Sequence, residues 1–171
     1  QLYSSEEILE LSKDCDGILA FTTTPFNKDM IINLPDSVKI ISNYAVGYGN
    51  IDIEAAQKRG IVVTNTPEVL TDATADISIL LLLGASRRVY EGRKAAEKEN
   101  WLWSSDYLIG KQMTGKKLGI LGMGRIGRAV AKRARAFDME IHYHNRNQLS
   151  SDLEEGAIYH KDKNDLFRNS E

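Results

Sequence analysis

Apolar residues fall in short unbroken runs, separated by polar stretches with helical spacing. Runs at residues 18–21, 38–42 and 61–64 are mostly apolar and do not alternate. Strands without alternation are covered on both faces, as in parallel sheets. Ser4, followed three positions later by Glu7, forms a capping box ahead of Ile8, Leu9 and Leu11. Asp16-Gly17 breaks that first helix. After Pro25, residues 27–33 read as a second helix, ended by Pro35-Asp36. Asp52 caps a third helix over 53–59, and Gly60 stops it at a C′ position. The strands begin near Ile18, Ile40 and Ile61. A spacing of about twenty residues with helices between is the pattern of parallel βαβ units.

Asn65-Thr66-Pro67 is a turn, and residues 71–98 read as one long helix. Its first half is apolar on every side, with Ile77, Ile79, Leu80, Leu81, Leu82 and Leu83. Such a helix is expected to be buried all round, inside a core or wedged between two domains or subunits. Its second half is charged and must reach water. Residues 100–110, with Trp101 and Trp103, read as an irregular connector.

A second strand–helix series starts at Lys116. Residues 118–121 are a short strand, and 125–137 a helix with Ile126, Val130, Ala134 and Phe137 on one face. Residues 139–143 form another strand, 157–159 a weak third, and Asn164 opens a last helix.

Composition narrows the class. The chain has 171 residues, a net charge of −2, 42% hydrophobic and 27% charged residues, which excludes a disordered chain. The absence of a global positive field argues against nucleic-acid or membrane-surface binding. The longest apolar run is far shorter than a bilayer span. One cysteine, Cys15, rules out an internal disulfide framework and points to a reducing, cytoplasmic setting.

Gly122-Met123-Gly124-Arg125-Ile126-Gly127 is a G-x-G-x-x-G placed directly after a strand and opening a helix. Gly122 permits the tight turn, Gly124 lets the backbone approach a pyrophosphate, and Gly127 lets helix and strand pack closely. The phosphates then meet N–H groups at the positive end of the helix. An acidic residue about twenty positions on would bind the ribose hydroxyl of NAD. This chain instead has Asn145, Arg146 and Asn147 there. Arg146 suits a 2′-phosphate, so NADP(H) is expected over NAD(H), which stays possible. Of the basic cluster Arg125, Arg128, Lys132, Arg133 and Arg135, only Arg125 is placed to touch a phosphate; the rest reads as a solvated helix face. His142 and His144 point one way and Tyr143 the other. They read as strand-end residues, not metal ligands, with no third histidine near.

Three stretches carry a family resemblance: residues 43–52 (NYAVGYGNID), residues 60–76 from Gly60 through Asn65-Thr66-Pro67 to Asp76, and residues 115–127. In this order and spacing they resemble the D-isomer-specific 2-hydroxyacid dehydrogenases, near the glyoxylate/hydroxypyruvate reductase branch. The resemblance implies an α/β chain: a partial flavodoxin-like substrate domain plus the first half of a Rossmann dinucleotide-binding domain. Residues 1–66 would be the partial substrate domain. Residues 67–171 would hold the interdomain helix, a linker and the first half of the dinucleotide domain.

The implied reaction moves a hydride between NADP(H) or NAD(H) and a small 2-keto or 2-hydroxy acid. Backbone N–H groups at Val46 and Gly47 would hold the substrate carboxylate, as a nest of N–H groups suits an anion. The implied cofactor contacts are Thr71, Gly122, Gly124, Arg125, Ile126, Gly127, Asn145, Arg146 and Asn147. The resemblance also implies a homodimer through residues 71–110. The family's active-site arginine, glutamate and histidine are expected beyond Glu171, so no catalytic residue is assigned here. The family's first strand is expected before Ser4. The chain thus reads as an N-terminal fragment, expected to be insoluble or inactive alone. Two alternatives are a non-catalytic NAD(H)-sensing co-repressor of the same fold and an inactive truncated product.

Overall fold

The computed structural model describes residues 3–98 and 104–171, in two compact units that meet between Leu70 and Thr71. The tryptophans at 101 and 103 lie outside the described residues.

The first unit runs α1 (Ser5–Leu11), β1 (Gly17–Ala20), α2 (Lys28–Asn33), β2 (Ile40–Asn43), α3 (Ile53–Lys58) and β3 (Val62–Thr64). The strands form a parallel sheet in the order β1-β2-β3, with Gly17 beside Ile40 and Ile40 beside Val62. Each helix start is fixed by a side chain. Ser4 and Glu7 make a complete capping box, Asn27 accepts the Met30 N–H, and Asp52 accepts the Ala55 N–H. Gly60 follows α3 at a φ of +67°, which spares a side chain the strain of a left-handed position. Phe26, Ile31, Ile41 and Ala56 are fully buried at the centre.

The ladder is shorter than the apolar runs. Phe21, Val38 and Ile61 lie outside the strands. Val38 and Ile61 are nonetheless buried, so they are apolar because they enter the core from flanking loops. The first helix closes at Leu11 with Ser12 as its cap, ahead of the expected break at Asp16-Gly17, and Leu11 is exposed.

The second unit runs α4 (Thr71–Ser86), α5 (Val89–Ala96), β4 (Lys117–Leu121), α6 (Arg125–Arg135), β5 (Glu140–His144), α7 (Ser151–Glu154), β6 (Ile158–Tyr159) and α8 (Lys163–Arg168). Its strands are parallel in the order β4-β5-β6. Two features depart from the expected long helix. The helix over 71–98 is broken after Ser86, with Arg88 left-handed at φ 52°. The cause is the returning chain: Lys111 N–H donates to the Ser86 carbonyl at 2.7 Å, and a side chain on Gly110 would collide with that carbonyl. Burial all round also fails. Ile79, Leu82 and Leu83 pack against the second core, while Ile77, Leu80 and Leu81 are 55%, 62% and 66% exposed. One face of α4 lies on the core beside α6, and no described residue covers the other.

The basic face of α6 is only partly solvated. Arg133 reaches Asp72 at 3.0 Å and Asp76 at 2.6 Å, latching α6 to α4, and their hydrogen bonds push its basicity up further. Arg135 binds Glu155 and the Glu154 carbonyl, each at 2.9 Å. The four-residue α7 had no apolar periodicity to announce it. The last helix is capped by Asp162, two residues before Asn164. No described helix is long and apolar enough to cross a membrane.

Candidate cofactor and substrate loops

The glycine turn leaves β4 and enters α6 within three residues. Gly122 stands at φ +102°, a left-handed position. A Cβ on Gly127 would collide with the Gly122 carbonyl, so the first turn of α6 is packed directly on the turn before it. Gly124 is the N-cap of α6, has no side chain to cap the helix, and its missing Cβ faces open space. These are the features a pyrophosphate cradle needs: an uncapped helix start and an unobstructed approach. The chain's residues therefore fit a dinucleotide. Arg125 is exposed in the first turn and Ile126 is half-buried behind it.

Asn145 directly follows β5, where it is expected, and its side chain is engaged by the protein. Its Oδ1 accepts the Met123 N–H at 2.7 Å, so its carbonyl oxygen is spent on the glycine turn. It braces the loop; a ribose contact is left to its amide NH₂. Arg146 and Asn147 follow, both exposed. Thr71 opens α4, one residue from the Asp72 that holds Arg133. Among the described residues no hydrogen bond joins Thr71 to the glycine turn.

The segment carrying Arg146 is tied at its far side. The buried Tyr143 hydroxyl donates to Glu154 Oε1 at 2.6 Å and accepts the Leu149 N–H at 3.0 Å. Gln148 Nε2 donates to the same Glu154 oxygen at 2.9 Å. Burial first, then the Glu154 carboxylate, pushes the Tyr143 phenol up to about 12. The Tyr143 and Gln148 hydrogen bonds hold Glu154 below the usual carboxylate range.

A third histidine does converge on the strand-end pair, contrary to expectation. His142 Nδ1 lies 2.8 Å from His160 Nε2, and His142 Nε2 lies 2.5 Å from Glu140 Oε1. His144 Nδ1 lies 2.8 Å from the His160 carbonyl. His142 thus sits between the Glu140 carboxylate and the His160 ring, and which of the two rings donates across the His142–His160 contact is set by the tautomer. The two rings hold each other directly. Among the described residues no group of three or more His, Cys, Asp or Glu is placed to bind a metal.

In the first unit, Val46 and Gly47 lie in the loop after β2. Their surroundings hold three residues that sequence reasoning passed over: Asn43, Asn50 and Asn65. Asn43 Nδ2 donates to the Gly47 carbonyl at 2.9 Å, and Asn65 Nδ2 donates to the Val46 carbonyl at 2.8 Å. Asn43 and Asn50 exchange amide hydrogen bonds at 3.2 and 3.4 Å. Asn50 also holds the Phe21 and Thr24 carbonyls, both at 3.1 Å. The available signal was position: Asn43 ends β2 and Asn65 directly follows β3, where apolar runs give way to an amide. A Cβ on Gly47 would meet nothing within 4 Å.

Residues 2–157 match the family model described as D-isomer specific 2-hydroxyacid dehydrogenase, catalytic domain. The chain belongs to this family. It is 42% identical to a glyoxylate reductase of Pyrococcus horikoshii, over 97% of this chain and 51% of that protein. It is 39% identical to a glycerate dehydrogenase of Hyphomicrobium methylovorum, over 95% of this chain and 51% of that protein. Among solved structures, a glyoxylate reductase from Paecilomyes thermophila superposes with a TM-score of 0.87 at 41% identity, covering 97% of this chain and 53% of that one. The chain thus spans about half the length of the relatives it matches. The family is NAD(P)-dependent. Its α/β architecture with parallel sheets is the one seen here.

Proposed function

We propose that this chain is the N-terminal part of a cytoplasmic reductase that uses NADP(H) to reduce a small 2-keto acid, glyoxylate or hydroxypyruvate. The observation that carries the reading is the glycine turn, closed around Gly122 and Gly127 and open at Gly124, in a relative of glyoxylate reductases. When bound, the dinucleotide supplies the hydride for the keto carbon. The N–H groups at the start of α6 hold its phosphates, and Arg125 adds charge beside them. Arg146 and Asn147 take the 2′-phosphate, with Asn145 bracing the turn. Val46 and Gly47 hold the substrate carboxylate through backbone N–H groups. The proton chemistry falls to an arginine, a glutamate and a histidine outside residues 1–171, as the family resemblance implies. The exposed Ile77, Leu80 and Leu81 support a homodimer through residues 71–110. The single cysteine supports a reducing compartment.

The decisive experiment assays the full-length chain with glyoxylate and hydroxypyruvate, each with NADPH and NADH. Turnover with a higher kcat/KM for NADPH is expected. Turnover with NADH favoured would overturn the NADP(H) assignment, and no turnover with either acid would overturn the substrate class.

A further inference from the structure

The loop that holds Val46 and Gly47 is fixed from behind by amides, and this fixes which way its N–H groups face. Three consecutive carbonyls are engaged. Ala45 O accepts the Thr66 N–H at 2.9 Å, Val46 O accepts Asn65 Nδ2 at 2.8 Å, and Gly47 O accepts Asn43 Nδ2 at 2.9 Å. Among the described residues there are no cis peptide bonds. In a planar trans peptide the C=O of one residue and the N–H of the next point in opposite directions. Holding carbonyls 45, 46 and 47 therefore turns the N–H groups of Val46, Gly47 and Tyr48 away from Thr66, Asn65 and Asn43 respectively. Among the described residues none of these three N–H groups has a protein acceptor.

The holders are themselves held. Asn43 is 2% exposed and locked by its amide exchange with Asn50, which is tied to the Phe21 and Thr24 carbonyls after β1. Asn65 is half-buried after β3. One clamp thus spans the carboxyl ends of all three strands of the sheet. Rigidly aimed donors that need no rearrangement when an anion arrives are worth more than mobile ones.

We propose that Asn65 and Asn43 are positioning residues that aim the Gly47 and Tyr48 N–H groups, beside a Val46 N–H fixed by Thr66, at the substrate carboxylate. This rests on the reading that the loop binds that carboxylate. Leucine matches asparagine in branching and heavy-atom count but cannot donate, so Asn65→Leu frees the Val46 carbonyl at the cost of some added bulk. In the full-length chain, Asn65→Leu is expected to raise the KM for glyoxylate at least tenfold. The kcat should stay within threefold and the Kd for NADPH should not move. Asn65→Ser keeps a hydroxyl donor; its KM should lie between those of the parent and the leucine variant, and it also serves if Asn65→Leu does not fold. Gly47→Ala, whose methyl enters open space on the loop, is the control for the underlying reading. An unchanged KM in Gly47→Ala defeats the carboxylate-loop reading itself. A raised KM in Gly47→Ala with none in the Asn65 variants defeats only the clamp. So does a parallel rise of KM and NADPH Kd in the Asn65 variants, which marks general loosening.

Discussion

The Asn145 side-chain oxygen accepts the Met123 N–H at 2.7 Å, joining the end of β5 to the middle of the glycine turn. Met123 is fully buried, so no solvent stands ready to replace that acceptor. Asn145→Ala is expected to cost about 1–3 kcal/mol, the penalty for orphaning a buried donor. Asn145→Asp keeps the acceptor and should lose far less. Calorimetry on the full-length chain measures both, and equal losses would show that the bond is not what matters.

The three glycines of the turn separate into a packing role and a binding role. Gly127→Ala drives a methyl into the Gly122 carbonyl and should lower Tm clearly. Gly124→Ala meets nothing in the protein, so Tm should hold while the Kd for NADPH rises at least tenfold. Thermal melts paired with fluorescence titrations test the split; a Gly124→Ala variant that binds NADPH normally would contradict the phosphate assignment.

Arg59 closes the C-terminal end of α2. Its guanidinium donates to the Ile31, Ile32 and Leu34 carbonyls at 3.1, 2.5 and 3.0 Å and to Asp36 at 2.8 Å. A lysine ammonium cannot reproduce this fork. Arg59→Lys is expected to cost roughly 1.5–3 kcal/mol, the range for hydrogen bonds to a charged group. Urea unfolding of the full-length chain reads it, and a cost under about 0.5 kcal/mol, the level of an ordinary surface substitution, would refute it.

The Tyr143–Glu154 bond sets a pH dependence of known sign. Glu154 is held below its ordinary range mainly by the Tyr143 hydroxyl, then by Gln148. A lowered carboxylate stabilises the fold above the unfolded value of about 4.3 and loses that contribution as pH falls through its folded value. The Tm gap between parent and Tyr143→Phe should therefore be flat near neutrality and shrink in acid below about 4. A gap independent of pH would remove Glu154 from the account.

The uncovered face of α4 predicts association. Leu81→Glu places a charge among Ile77 and Leu80, both exposed. Light scattering on the full-length chain should show a dimer for the parent and a monomer for the variant, with the melting temperature changed little. A parent that is monomeric would close this route.

Much of this architecture was legible because local chemistry and global packing agree. Ser4, Asn27 and Asp52 cap helices where the sequence places their starts, and Gly122 and Gly127 do the work their spacing assigns. What was not legible depends on contacts distant in sequence. The break after Ser86 comes from Lys111, and Arg133 is tied down by Asp72 and Asp76, more than fifty positions away. Asn43 and Asn65 look like ordinary strand-end amides until the loop between β2 and α3 folds over them. His160 joins His142 only because β6 pairs with β5.

The residue at position 171 carries a consequence for β4. Glu140 N–H uses the Lys116 carbonyl on the β5 side, so the next carbonyl, that of Lys117, faces the opposite edge. Glu171 N–H donates to it at 3.1 Å. The chain has thus passed from β6 at one border of the sheet, through α8, to the far side of β4. β4 thus has β5 on one side and the returning chain on the other, and open α/β sheets take their ligands beyond the carboxyl ends of their strands. Gly122 directly follows the carboxyl end of β4, so the path of the chain brings its last residue to the same strand that the glycine turn leaves.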